Sequence, residues 1–122
     1  WYSTETMLRR LTGPPIHVAE SAGKVVGYVQ HGPVSDSIYE VYAIYVDPAM
    51  LGKGIGWALW RQVALDARDG GKSAIELWVL QGNRLGIDWY DRQGGSVAGQ
   101  RDVELADGAH TELRYRFGLK TD

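Results

Sequence analysis

The chain has 122 residues, a length that predicts one domain able to bury a substantial core without disulfide or metal staples. Its 13 Lys and Arg stand against 15 Asp and Glu, a formal net charge of −2, so no bulk positive field recruits nucleic acid. No apolar run approaches the length of a membrane span, and the absence of cysteine excludes disulfides, thiolate metal sites and a thiol nucleophile while fitting a reducing, cytoplasmic compartment.

Trp1 in place of methionine predicts a processed, trimmed or engineered start, and no signal peptide pattern follows it. Tyr2 to Leu11 reads as a short helix stopped by Gly13-Pro14-Pro15, because two prolines cannot continue one. Ile16 to Ser21 and Lys24 to His31, rich in β-branched and aromatic residues around Ala22-Gly23, read as a hairpin. A polar loop, Gly32 to Ser37, leads into Ile38 to Val46. There Ile38, Glu40, Tyr42, Ile44 and Val46 alternate with Tyr39, Val41, Ala43 and Tyr45, so both faces are largely apolar and a central strand is expected.

Trp57 to Asp69 carries Ala58, Leu59, Val63 and Ala67 at helical spacing and ends at Gly70-Gly71, as a glycine-capped helix would. Ser73 to Leu80 is a further buried strand. Strand, helix and strand in that order imply a right-handed crossover and a parallel pair. Asn83 reads as the N-cap of a short helix through Gln93, stopped by Gly94-Gly95. Ser96 to Val103 and Ala109 to Gly118 form a second hairpin around Ala106-Asp107-Gly108; Leu113, Tyr115 and Phe117 alternate there with Glu112, Arg114 and Arg116, which leaves one face solvated. The expected fold class is α/β (α+β): a mixed, mostly antiparallel sheet with one parallel step and flanking helices. His17, His31 and His110 have no close metal-ligand spacing, so no metal is expected and each histidine reads as surface or structural.

The most informative stretch is Gly52-Lys53-Gly54-Ile55-Gly56, set between strand and helix with Asp47-Pro48 marking the turn. Glycines let a backbone approach a ligand closely, and N–H groups at a helix start favour anions, so a diphosphate or phosphorylated cofactor is indicated. A tight connection alone would also account for the glycines. The loop lacks the Lys-Ser/Thr ending of an NTPase phosphate loop and the glycine spacing of dinucleotide sites.

Tyr45-Val46-Asp47-Pro48, the glycine stretch, Leu77-Trp78-Val79-Leu80, Asn83, Trp89-Tyr90 and Gly94 together resemble the GNAT superfamily of acyl-CoA-dependent N-acyltransferases, from about Ile16 to the C-terminus. The resemblance implies a sheet whose fourth and fifth strands splay apart to admit the pantetheine arm. It implies an N-acetyltransferase that moves acetyl from acetyl-CoA to a primary amine of a small molecule or protein by direct attack in a ternary complex. The cofactor-binding residues it implies are the backbone of Ile44, Tyr45 and Val46, the N–H groups of Leu51, Gly52, Lys53, Gly54, Ile55 and Gly56, and Asn83. Tyr90 matches the tyrosine that gives a proton to the departing thiolate and also lies along the cofactor; Trp89 reads as core.

Glu40 is the expected base, with Glu76 second; bulk water could also take the proton. A catalytically silent acyl-CoA-binding module, or one part of a larger assembly, is the alternative function. Three departures from the family pattern carry expectations. Leu51 replaces the usual Gln or Arg, which predicts weaker cofactor binding. Gly95 replaces an aromatic and Gly86 an alanine, which predicts a looser second helix. Only Trp1 to Leu11 precedes the first hairpin where the family has a strand and one or two helices, which fits a compact variant, a trimmed fragment or a chain completed by a partner. Tyr28, Tyr39, Tyr42, Trp57, Trp60 and Trp78 are expected mostly in the core or in subunit contacts, and with the short front they make a homodimer the expected assembly. Neither nucleic acid nor a membrane is an expected partner.

Overall fold

The computed structural model describes residues 6–12 and 16–119. Among these, the order is β1 (Thr6–Arg10), β2 (Ile16–Ser21), β3 (Lys24–Pro33), β4 (Ile38–Val46), a 3₁₀ turn (Pro48–Met50), α1 (Ile55–Asp69), β5 (Ala74–Leu80), α2 (Arg84–Arg92), β6 (Ser96–Leu105) and β7 (Gly108–Gly118). The seven strands form one sheet in the order β1-β2-β3-β4-β5-β7-β6. Only β4 and β5 are parallel, as the strand-helix-strand order requires, and β4 is central.

The helix α1 lies on one face of the sheet because its apolar residues recur at helical spacing. Ala58, Leu59, Val63 and Ala67 are buried as the pattern predicts, together with Ile55 and Trp60. They meet Val29, Val41, Ile75, Leu77 and Val79 from the strands. Each fully buried aliphatic side chain of this kind contributes roughly 1.5–3 kcal/mol. Gly27 lets the layers close: a Cβ there would sit 2.8 Å from the Tyr45 carbonyl oxygen and 3.3 Å from Ile55 Cγ2.

Three expectations change. The predicted N-terminal helix is, in its described part, the edge strand β1, antiparallel to β2 from Thr6 opposite Ser21 to Arg10 opposite His17. Thr6 to Arg10 has no strong propensity of its own, and pairing with β2 decides its state. Residues 1–5 and the predicted stop at 13–15 fall outside the described residues. The predicted polar loop also starts later, because β3 continues through Pro33 opposite Tyr39.

The alternation read along β4 breaks at Tyr42. Gln30 pairs with Ala43 and His31 with Val41, so Tyr42 is an extra residue, a β-bulge. Beyond it the faces exchange: Ile44 and Val46 join Tyr39 and Val41 against the core, while Tyr42 and Tyr45 are exposed.

Gly86 and Gly95 both stand where a side chain would clash, although α2 buries no residue completely. A Cβ on Gly86 would lie 2.7 Å from Asn83 Nδ2, and one on Gly95 would lie 2.5 Å from Phe117 Cε2 and 2.9 Å from Tyr115 Cδ2. No side chain fits at 95 because the rings of β7 already fill the space. The same helix is tied to β7 by the Tyr115 hydroxyl, which donates to Asp91 Oδ1 at 2.8 Å.

His17 and His31, 14 residues apart, are buried and stacked at 5.1 Å with 18° between their rings. His17 Nδ1 lies 2.9 Å from His31 Nε2, and His31 Nδ1 lies 2.6 Å from the Tyr39 hydroxyl. Asp66, on the second half of α1, brings Oδ2 to 3.9 Å of His31 Nδ1 while Gln62 donates to Oδ1. Burial, followed by the neighbouring His17, pushes the His31 pKa down to about 4, and burial raises the Tyr39 hydroxyl to about 12. The histidines read as structural are part of a closed polar network. Their ligand-capable atoms and those of Asp66 lie within 4.8 Å of one another, a proximity invisible in the sequence spacing.

Candidate active site

The ladder between β4 and β5 runs only from Ile38 opposite Ala74 to Val41 opposite Leu77. Past that point β4 stays paired with β3, and β5 stays paired with β7 through Leu80 opposite Glu112. Two strands held firmly by their outer neighbours therefore diverge from each other, and the bulge at Tyr42 sits where the divergence begins. The β5-facing edge of Tyr42–Val46 is left without a ladder, so its backbone groups are available to a ligand.

A cavity of about 260 Å³ fills the gap. Tyr42, Ala43 and Ile44 form one wall, and Trp78, Val79 and Leu80 the other. Asn83, Tyr90 and Glu112 complete it. A larger cleft of about 690 Å³ adjoins it and shares Leu80 and Asn83; its remaining lining includes Asp102, His110 and Thr111.

The glycine turn lies between β4 and α1, beyond the 3₁₀ turn that Asp47 caps by accepting from Ala49 N at 3.0 Å. Gly52 and Gly54 both take φ of 80°, a conformation costly for other residues, so the glycines are required by the backbone path itself. Gly54 is the N-cap of α1 and supplies no side-chain hydrogen bond; the first turn holds no acidic residue. Lys53 is exposed between the two glycines, and Leu51 is 64% exposed. The N–H groups of the first turn and the dipole of a 15-residue helix give this end the polarity that suits an anion. Val46 links turn and gap, since a Cβ on Gly56 would be 3.7 Å from Val46 Cγ2.

Asn83 caps α2, with Oδ1 accepting from Gly86 N at 3.0 Å. Its Nδ2 has no protein partner among the described residues and is free to donate. Tyr90 is half-buried among Trp60, Trp89 and Phe117, and burial raises its hydroxyl above the ordinary tyrosine value. Trp89 packs edge-on against Trp60 at 5.8 Å, as expected of a residue packed against the core.

Glu40 is placed differently. It lies on the paired part of β4, opposite Glu76 and outside the lining of the cavity that holds Tyr90. Burial and then the Glu76 charge raise its carboxyl pKa, while Arg101 opposes them. Glu76 is buried and bound by Arg116, whose Nε donates to Oε2 at 2.7 Å.

The carboxylate that does line the cavity is Glu112, which sequence reasoning missed. In Glu112, Arg114 and Arg116 nothing local distinguishes it; its register opposite Leu80 does.

The sequence of this chain matches the acetyltransferase (GNAT) family model over residues 2–95. An uncharacterized N-acetyltransferase of Methanocaldococcus jannaschii is 34% identical over 100 residues, covering 77% of this chain and 43% of its own length. An L-methionine sulfoximine/L-methionine sulfone acetyltransferase of Salmonella typhimurium is 32% identical over 104 residues, covering 82% of this chain and 58% of its own. The chain thus spans about half the length of these relatives. In fold it is similar to a GNAT family acetyltransferase from Elizabethkingia anophelis with acetyl-CoA bound, at a TM-score of 0.80 and 12% identity over 96% of this chain and 100% of that one. With the family model covering most of its length and the splayed strands and glycine turn in place, the chain belongs to the acetyltransferase (GNAT) family.

Proposed function

We propose that the chain transfers the acetyl group of acetyl-CoA to a primary amine. The observation that carries this reading is the end of the β4–β5 ladder at Val41 and Leu77, which leaves a cavity bordered by Tyr90 and Asn83. Membership of the family and the acetyl-CoA named with the Elizabethkingia structure support the choice of cosubstrate.

The residues fit such a group. Pantetheine is peptide-like, and the open edge of Ile44, Tyr45 and Val46 offers it strand-like hydrogen bonds. The N–H groups from Gly52 to Gly56 suit a diphosphate, with Lys53 adding charge. Leu51 N–H already donates to the Pro48 carbonyl at 3.4 Å and its side chain is apolar, so Leu51 offers the diphosphate no donor. Asn83 Nδ2 offers a further donor to the arm. Bound acetyl-CoA supplies the acyl group as an activated thioester.

What the chain adds is position and one proton. The Tyr90 hydroxyl, kept protonated by burial and without a hydrogen-bond partner among the described residues, donates to the sulfur as the C–S bond breaks. The amine must lose a proton as its C–N bond forms, and Glu40, with its raised carboxyl pKa, accepts it through water. Without a cysteine, attack is direct in a ternary complex.

Calorimetry with acetyl-CoA, paired with free-thiol release across a panel of amines, tests the reading. Binding with thiol release is expected. Binding without release from any amine would make the chain a silent acyl-CoA-binding module. Tyr90→Phe is expected to lower turnover about 100-fold with little change in acetyl-CoA affinity; unchanged turnover would remove Tyr90 from the chemistry.

A further inference from the structure

We propose that the acceptor carries a carboxylate, which Arg101 receives beside the gap between β4 and β5 while Arg114 supplies a second positive charge. The inference rests on the acetyltransferase reading for its location and goes beyond it by naming a second functional group on the acceptor. Arg101, exposed on β6, is held by two residues that line the cavity, Glu112 and Trp78. Its Nε donates to Glu112 Oε1 at 2.8 Å, and its guanidinium carbon lies 4.0 Å from the Trp78 ring centroid. Nη1 and Nη2 have no protein partner among the described residues, and the side chain is 50% exposed. A guanidinium fixed in orientation by stacking and by its Nε thus keeps its two terminal nitrogens free to take an oxyanion.

Arg114 adds charge without a counterion. It stands opposite Trp78 in the β5–β7 ladder, its guanidinium carbon 5.7 Å from the same ring centroid. Nη2 donates to the Ala98 carbonyl at 3.1 Å, Nε is buried without a hydrogen-bond partner, and no carboxylate pairs with it among the described residues. The bulge at Ala98 and the bare Gly99 make room for it, since a Cβ at 99 would sit 3.2 Å from Nη2. Arg116, on the same face of β7, is by contrast bound by Glu76. Two guanidinium groups therefore meet at one ring with only Glu112 to balance them, and a half-buried cation without a counterion costs free energy that an anionic ligand group offsets. Glu40 stands opposite Glu76, two residues before Trp78 on the same face of the sheet. Burial and then Glu76 raise its carboxyl pKa, and Arg101 is the cation opposing them. An acceptor bearing both an amine and a carboxylate meets a base and a cation on that one face.

The test reads binding rather than turnover. Norleucine and pentylamine differ only by the α-carboxylate, and each is titrated into the protein saturated with coenzyme A while the Trp indole N–H signals are followed by NMR. Norleucine is expected to bind at least about 10-fold more tightly than pentylamine. Arg101→Gln is expected to weaken norleucine about 10-fold and to leave pentylamine within about 2-fold. Glu112→Gln keeps an oxygen for Arg101 Nε but removes the competing charge, so it is expected to keep or strengthen norleucine binding. Norleucine binding no more tightly than pentylamine, or not at all, would overturn the proposal. So would an unchanged norleucine affinity in Arg101→Gln, or equal losses in Arg101→Gln and Glu112→Gln, which would make the pair merely structural. If norleucine binds through Arg101 and neither amine releases thiol from acetyl-CoA, the acetyltransferase reading fails while the carboxylate site stands.

Discussion

The two ends of α1 solve opposite problems. At its start, Gly54 caps the helix without a side chain, no acid neutralises the first turn, and the adjoining length of β4 is unpaired on its β5 side. Beside its second half, Asp66 joins His17, His31 and Tyr39 in a network where the buried ring nitrogens have partners. Unsatisfied polar groups cost free energy when buried, so leaving them open is tolerable only where solvent or a ligand completes them. The contrast separates an end left open from an end that holds.

Acid should break the closed end first, and this is the largest effect expected. His31 is uncharged in the fold with its pKa lowered to about 4, against an ordinary 6.5 when unfolded. As pH falls the unfolded chain takes up the proton first, so stability is full above about 6.5, declines between 6.5 and about 4, and levels off below. The loss should approach about 3 kcal/mol from this group, and His17, also lowered by burial, acts in the same direction. Urea denaturation across this range checks it. His31→Gln, which cannot charge, should be less stable at neutral pH yet lose most of the slope; an undiminished slope would place the acid sensitivity elsewhere.

The open end should respond in ligand affinity and not in stability. Lys53→Glu reverses an exposed charge between two glycines and should weaken acetyl-CoA about 10-fold, with an unchanged melting temperature. Equal affinity in calorimetry would assign the diphosphate to backbone groups alone.

Asn83 belongs to both behaviours and sharpens the comparison most finely. Asn83→Ala should cost about 1 kcal/mol of stability through the lost cap and weaken the cofactor as well. Asn83→Asp keeps an oxygen to accept from Gly86 N but removes the amide donor, so stability should return and affinity should not. Recovery of both would show that the amide nitrogen touches nothing in the bound state.

Legibility followed the range of the interactions. Both hairpins, α1, the parallel step and the Asn83 cap were readable because turn glycines, apolar spacing and a capping residue act within a few positions. β1 was not, since its strand state comes from β2 and not from Thr6 to Arg10. The bulge at Tyr42 was equally hidden: a two-residue alternation looks unbroken until the register with β3 is known. His17 with His31, and Glu112 with the cavity, depend on pairing between distant strands. For the site, the glycine turn and the residues bordering the gap were in place from the motif, whereas the carboxylate in the cavity had to wait for the sheet.

The contact between Gly86 and Asn83 ties two positions into a single unit of variation. The capping amide occupies the volume in which any larger residue at 86 would place its first carbon. A methyl added there would make the amide shift even though alanine favours helices, so the gain in propensity would arrive with a displaced side chain at the neighbouring pocket. The small residue at 86 is the mould in which the orientation of the larger one is cast.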